Sequence, residues 1–180
     1  MGSIGFIWNK GALYSAIWCI ILYDTWGIWT DRDRGNSDYG TAIVATIDSA
    51  NNTISYGSPT VFNSANSLYI SPTFDSSNNK VVIFYRDEGD SNHGKTVVAT
   101  VSGTSISYGS VVAFEASEAV NKLTATFDSS NNKILIAYNS RSKVGTVSGT
   151  SISFGTHAEF EKIKRQESVY FQYPFFDSFR

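Results

Sequence analysis

The sequence has little cysteine and little charge. One of its 180 residues is cysteine, Cys19, so no disulfide can form within the chain. Charged residues make up 17% of the chain, and the formal net charge of −2 comes without a visible basic stripe. Binding to nucleic acid through neutralisation of its phosphates is therefore not expected.

The chain also lacks a long apolar run and the common catalytic motifs. The apolar stretch at residues 12–23 is too short to span a bilayer, and no small-x-small cleavage motif follows it, so a buried strand pair is favoured over a signal peptide. There is no G-x-S-x-G elbow, no H-E-x-x-H motif and no phosphate-cradling glycine loop. His93 and His157 occupy unrelated places, which gives a histidine zinc site no support. We therefore expect no membrane span, no enzymatic activity and no metal or cofactor, Ca²⁺ being the one alternative.

A repeat is the main feature that the chain does have. The segment T-F-D-S-S-N-N-K occurs at residues 73–80 and again, unchanged, at 126–133. Strand-prone runs flank both copies and predict β-hairpins. We interpret the turns as structural, with Asp75 and Asp128 accepting hydrogen bonds from local backbone N–H groups.

A second motif, D-x-G-x-S-x-x-G, occupies residues 33–40 and 87–94. Both copies continue into a strand-prone segment, the motif I-S-[YF]-G and a phenylalanine, whereas the third copy keeps these features up to Phe160 but lacks the loop. We interpret the loop as an insertion on one face of the scaffold, where binding variation usually lies. The aromatic residues of the I-S-[YF]-G motifs, which we expect to pack between repeats, are Tyr56, Tyr108 and Phe154.

Each full copy contains four strand signals. Along the second signal of the middle copy, Val82 and Phe84 fall on one face, and Ile83 and Tyr85 on the other. A strand that is apolar on both faces lies between two layers. The predicted fold is all-β, a β-propeller-like array of four-stranded antiparallel blades, about three blades plus terminal strands; stacked β-sheets or a β-solenoid is the alternative. The four signals are residues 68–74, 80–85, 95–101 and 106–114.

The repeats divide the chain into five segments. Residues 1–30 contain all four tryptophans and form an atypical segment, which we interpret as a diverged blade, the alternatives being a signal-like or frame-shifted stretch. Residues 31–62 end the first blade, 63–114 form the second, 115–160 the third, and 161–180 the first strand of an incomplete blade. Closed propellers have about four to eight blades. Either two chains complete a ring, or the last strand closes a compact ring within one chain.

These units resemble the Ser/Asn-rich repeats of phage tail-fibre-like and metagenomic proteins, which look like β-propellers. The resemblance rests on F-D-S-S-N-N-K and S-G-T-S-I-S-[YF]-G and covers residues 31–160, with a fragment at each end. The Trp-rich start, the loop missing from the third copy and the shortened end depart from the pattern. The resemblance implies the propeller architecture and leaves the activity open.

The D-x-G-x-S-x-x-G loops contain the candidate binding residues. Their clustered oxygen atoms suit sugar hydroxyls, with the rings of Tyr39 and His93 lying against the apolar faces of the sugar, or else a Ca²⁺ ion. An exposed β-turn without any ligand is the alternative. The candidates are Asp33, Asn36, Ser37, Tyr39, Asp87, Asp90, Ser91 and His93.

The sequence favours a non-enzymatic binding module, extracellular or virion-associated, that recognises a glycan or a host-surface receptor in a phage fibre or a secreted adhesin. One alternative is a glycoside hydrolase on a propeller scaffold, with paired carboxylates from Asp33, Asp87 and Glu88. The other is a structural repeat protein that assembles through exposed edge strands. A homo-oligomer that completes the ring fits the incomplete blade count.

Overall fold

The computed structural model describes residues 19–23 and 26–160. This part of the chain consists of β-strands, turns and one 3₁₀ turn, with no α-helix, and the prediction of an all-β fold is confirmed. The predictions for the Trp-rich start and for the terminal strand fall wholly or partly on residues 1–18, 24–25 and 161–180, which lie outside the described residues.

The strands follow one another through short turns, and the 3₁₀ turn (Arg34–Asn36) lies between the second and third strands. In chain order the strands are β1 (Cys19–Tyr23), β2 (Trp26–Asp33), β3 (Tyr39–Asp48), β4 (Thr53–Tyr56), β5 (Thr60–Asp75), β6 (Lys80–Asp87), β7 (His93–Ser102), β8 (Ser105–Tyr108), β9 (Val112–Glu115), β10 (Leu123–Asp128), β11 (Lys133–Tyr138), β12 (Arg141–Ser148), β13 (Ser151–Phe154) and β14 (Ala158–Glu159).

The strands form three successive antiparallel meanders. Unit 1 is β1–β4, unit 2 is β5–β8 and unit 3 is β10–β13. In each unit the third strand pairs at one end with the fourth strand and at the other end with the segment that follows, which is the start of β5, β9 or β14. Because β5 joins units 1 and 2, the described strands make one nine-stranded and one five-stranded sheet, and neither sheet closes on itself.

Strand β6 lies between two apolar layers, as its alternation predicted. Val81, Ile83 and Tyr85 belong to a core cluster shared with unit 1, whereas Val82 and Phe84 belong to a cluster shared with unit 3. All five side chains are at most 1% exposed. Burying a large apolar side chain contributes roughly 1.5–3 kcal/mol, so these five side chains together make a large contribution to stability. The face-to-face packing is compatible with the stacked-sheet alternative.

The recurring aromatic residues pack between units where a preceding unit is described. Tyr108 of unit 2 packs against the core cluster that contains Ile28 and Val44 of unit 1, and its hydroxyl donates to the Thr60 carbonyl at 3.0 Å. Phe154 of unit 3 packs against Phe84 and Phe114 in the second interface. The packing prediction is confirmed for these two residues. Tyr56 of unit 1 is 51% exposed.

The prediction of one strand over residues 106–114 is wrong, because the segment is divided into β8 and β9. Tyr108 pairs with Ala99 and Val112 with Thr96, so three residues of this segment face two of β7, which is a β-bulge. At the bulge Gly109 donates its N–H to the Val98 carbonyl at 2.9 Å. The same bulge begins at residue 57 in unit 1 and at residue 155 in unit 3.

Candidate functional site

The two candidate loops lie at one edge of the stacked units. They are the β2–β3 and β6–β7 connections, and backbone hydrogen bonds tie them to the segments that lead into the next unit. Ser67 donates to the Asp38 carbonyl at 3.2 Å, and Glu88 donates to the Asn66 carbonyl at 2.9 Å. Val120 donates to the Asn92 carbonyl at 2.9 Å. We call residues 33–40, 63–67, 87–94 and 115–122 the loop edge.

Each loop is shaped by its own aspartate. An Asp33 carboxylate oxygen accepts from the Gly35 N–H at 3.0 Å, and an Asp87 carboxylate oxygen accepts from the Gly89 N–H at 3.0 Å. Two consecutive residues then adopt the left-handed conformation in each loop, Ser37–Asp38 and Ser91–Asn92. Because Asp and Asn tolerate this conformation better than most residues, the motif encodes one backbone shape twice.

The last glycine of the motif is required by packing. The ring of Phe62 lies against Gly40, and the ring of Phe114 lies against Gly94, so closely that a Cβ atom at either glycine would collide with the ring. The phenylalanine that ends each copy therefore covers the base of that copy's loop. Loop and scaffold are fixed to each other at this point.

A polar network supports the second loop. Asn63 donates its side-chain amide to Asp87 Oδ1 at 3.2 Å and to Ser67 Oγ at 3.0 Å. Asn66 donates to the carboxylate of Glu88, which also forms an ion pair with Arg86. The network holds the inter-unit segment and the second loop together. The sequence does not predict this network, because the repeat does not conserve its residues. Asn63 follows Phe62, whereas Glu115 follows the equivalent Phe114.

An ion pair anchors the end of the second loop. The Lys95 ammonium contacts the Asp90 carboxylate, and His93 Nδ1 lies 3.4 Å from Asp90 Oδ1. The hydrogen bond from Lys95, assisted by His93, lowers the pKa of Asp90. Asp90 and His93, which the sequence analysis offered as ligand contacts, thus contact each other. At the first loop, Arg32 Nε lies 3.5 Å from Asp38 Oδ1.

The eight candidate residues differ in how far they reach solvent. Asp33, Tyr39, Asp87, Asp90 and His93 are half-buried. The structure places all eight at the loop edge, and residues 63–67 contact both loops. The exposed ones are Asn36, Ser37 and Ser91.

Unit 3 has a compact ionic cluster in place of the loop. Glu115 is 5% exposed, and its carboxylate accepts from the Ser117 N–H at 2.8 Å and from the Tyr138 hydroxyl at 3.1 Å. Burial opposes its ionisation, but these hydrogen bonds and the charge of Lys143 outweigh burial and lower the pKa of Glu115 to about 2. Arg141 joins the cluster at 3.8 Å from Glu115. Sequence reasoning missed this cluster.

The turns at the opposite edge are structural. An Asp75 carboxylate oxygen accepts from Ser77 and Asn78 N–H groups at 2.9 and 3.0 Å, and Asp128 accepts from the two corresponding groups of its own turn, so this prediction is confirmed. Asp48 builds the same turn between β3 and β4, with Ala50 and Asn51 as donors. The D-S-x-N-N turn is therefore used three times, once in a different hairpin.

Comparison with protein-family models, with curated proteins and with solved structures gives no match. Within the described ranges, no group of three or more His, Cys, Asp or Glu side chains is arranged to hold a metal ion. The same part of the chain has no helix with the length and apolar character needed to cross a membrane.

Proposed function

We propose that the chain is a non-enzymatic binding module of propeller type, in which the loop edge faces the ligand. One observation carries the proposal: exposed polar side chains stand on loops whose backbone is fixed in advance. Ser37 and Ser91 occupy the same left-handed position in two loops, each held by an aspartate. Fixing a loop before binding reduces the entropy that binding must overcome.

The ligand class that suits this edge is a glycan, and a receptor on a host surface is its natural source. Both loops present hydroxyl, amide and carboxylate groups. An aromatic ring follows these groups in each loop, Tyr39 in the first and His93 in the second. Rings of this kind pack against the C–H faces of sugars, while the polar groups exchange hydrogen bonds with hydroxyls. The propeller architecture is supported by the three successive four-stranded units and their repeated face-to-face contacts.

Binding is favoured over glycoside hydrolysis. A glycosidase needs one carboxyl group that stays protonated to act as the general acid. The carboxylates of Asp33 and Asp87 accept hydrogen bonds from the Gly35 and Gly89 N–H groups of their own loops, and Glu88 forms an ion pair with Arg86. These carboxylates serve the loop structure.

The test is glycan-array screening of the chain and of variants at the exposed loop positions. Ser37→Gly and Ser91→Gly remove a hydroxyl while keeping the left-handed backbone that glycine accepts freely. Each should weaken binding by about tenfold, the loss of roughly one hydrogen bond, without lowering the melting temperature. Ser129→Gly, in an exposed turn at the opposite edge, is the control and should bind like the parent. No binding by the parent, or equal binding by all variants, would contradict the proposal.

A further inference from the structure

The two interfaces inside the chain are built from the same positions. The face that a unit turns towards the following unit has a cross-strand pair at its centre, Ile28–Val44 in unit 1 and Val82–Val98 in unit 2. All four side chains are 0% exposed. We call this the trailing face. The leading face of the following unit covers it with two residues of its fourth strand, which are Ile106 and Tyr108 in unit 2 and Ile152 and Phe154 in unit 3.

Unit 3 has a complete trailing face of its own. Leu135 pairs with Val144 in the register of Val82 and Val98, and these two side chains are 43% and 48% exposed. Phe160, at the position of the buried Phe114, is 46% exposed. Three large apolar side chains thus stand at positions that are buried in the other units.

A glycine marks the same face. In units 1 and 2, a Cβ atom on Gly57 or Gly109 would collide with the carbonyl oxygen of Thr104 or Thr150 from the following unit. In unit 3, the nearest atom to a Cβ on Gly155 would be 3.9 Å away and belongs to Val144 of the same unit. Unit 3 therefore keeps the recess into which a following unit's turn fits.

Unit 1 presents the matching leading face. Ile54 occupies the position of Ile106 and is 52% exposed. An exposed leading face on unit 1 and an exposed trailing face on unit 3 thus lie at opposite ends of the described units. The same two faces are buried against each other where unit 1 meets unit 2 and where unit 2 meets unit 3. Exposed apolar patches of this kind mark interaction sites.

We infer that a second copy of this chain docks its unit 1 onto unit 3 of the first, head to tail, through the interface that the chain already uses twice. The contact continues an interface already present within the chain. It joins two different surfaces, so it is heterologous and propagates into a closed ring or a filament. This inference is independent of the proposed glycan binding.

The test uses the full chain and two variants that each block one face. Leu135→Glu places a charge on the trailing face, and Ile54→Glu places one on the leading face. Sedimentation velocity should show the parent as an assembly of two or more chains and each variant alone as a monomer. An equimolar mixture of the two variants should form a dimer, because each retains the face that the other has lost. Ser129→Glu, in the exposed 128–133 turn, is the control and should sediment like the parent.

Other occupants give different results. A parent that stays monomeric over a hundredfold range of concentration overturns the inference; if deletion of residues 161–180 then produces oligomers, the chain's own C-terminal segment covers the trailing face. A dimer that survives in Ile54→Glu alone indicates face-to-face pairing of two trailing faces, and this also overturns it. Leu135→Ser and Ile54→Ser, checked for strand content by circular dichroism, repeat the test without an added charge.

Discussion

The carbonyl oxygen of Thr150 occupies the space into which a side chain on Gly109 would extend. Thr150 lies in the tight turn before β13 of unit 3, and Gly109 lies in the bulge of unit 2. The turn of one unit therefore fits into the bulge of the preceding one. Thr104 and Gly57 repeat the contact between units 2 and 1.

This contact predicts that Gly109→Ala is destabilising. The added methyl group must displace a backbone carbonyl, and overpacking of this kind costs about 1–3 kcal/mol. Gly155→Ala is a matched control when both substitutions are made in the Leu135→Glu background, which blocks the inferred contact between chains. Its Cβ would have no neighbour within the chain closer than 3.9 Å, so it should change the free energy of unfolding by less than about 0.5 kcal/mol. Urea unfolding of both variants measures the difference, and equal values would show that the contact does not form.

The ionised Glu115 predicts a loss of stability in acid. Its folded-state pKa of about 2 lies below the ordinary value of 4.5. The stabilisation is therefore complete above pH 4.5 and is lost as the pH falls towards 2, with a total of about 3 kcal/mol. Glu115→Gln should be less stable than the parent at neutral pH, and the gap should close near pH 2. Unfolding curves at several pH values measure it, and a gap that is constant with pH would refute the role of the charge.

The three D-S-x-N-N turns predict a graded effect of the same substitution. Asp75 is 1% exposed, and its carboxylate accepts two backbone hydrogen bonds. Asp75→Ala leaves those donors without their acceptor in a buried setting, at a cost of about 1–3 kcal/mol. Asp48 makes the same bonds at an exposed site, so Asp48→Ala should lower the melting temperature by less. Thermal unfolding measures the melting temperatures of both variants. If Asp48→Ala lowers the melting temperature as much as Asp75→Ala or more, burial is not the cause of the difference.

The sequence predicted the features that depend on local pattern. The alternation around Ile83 showed a strand buried on both faces, and the Asp75 turn was evident from its own residues. The division of residues 106–114 was missed because it depends on pairing with β7, where the residues between Tyr108 and Val112 outnumber those between Ala99 and Thr96. The likeness of the 48–52 turn to the turns at Asp75 and Asp128 was missed, because the 48–52 turn lies in a different hairpin.

The candidate site was predictable to a similar extent. The repeated loop motif indicated where polar residues gather, and its shape follows from Asp33 and Asp87. The roles of Asn63 and Glu115 were not predictable, because the two residues occupy one repeat position with different chemistry. Their partners Asp87 and Tyr138 lie 24 and 23 residues away along the chain, and only the folded strands bring them within reach.

The central claim is that unit 2 is packed on both faces, so that the loops stand on a rigid edge. Amide hydrogen exchange tests it most directly, because exchange from a buried strand requires the surrounding layers to open. In the Leu135→Glu variant, in which the inferred contact between chains is blocked, the account predicts that β6 (Lys80–Asp87) exchanges most slowly and that β4 (Thr53–Tyr56), whose four residues are exposed, exchanges much faster. Exchange in β6 as fast as in β4 would contradict it.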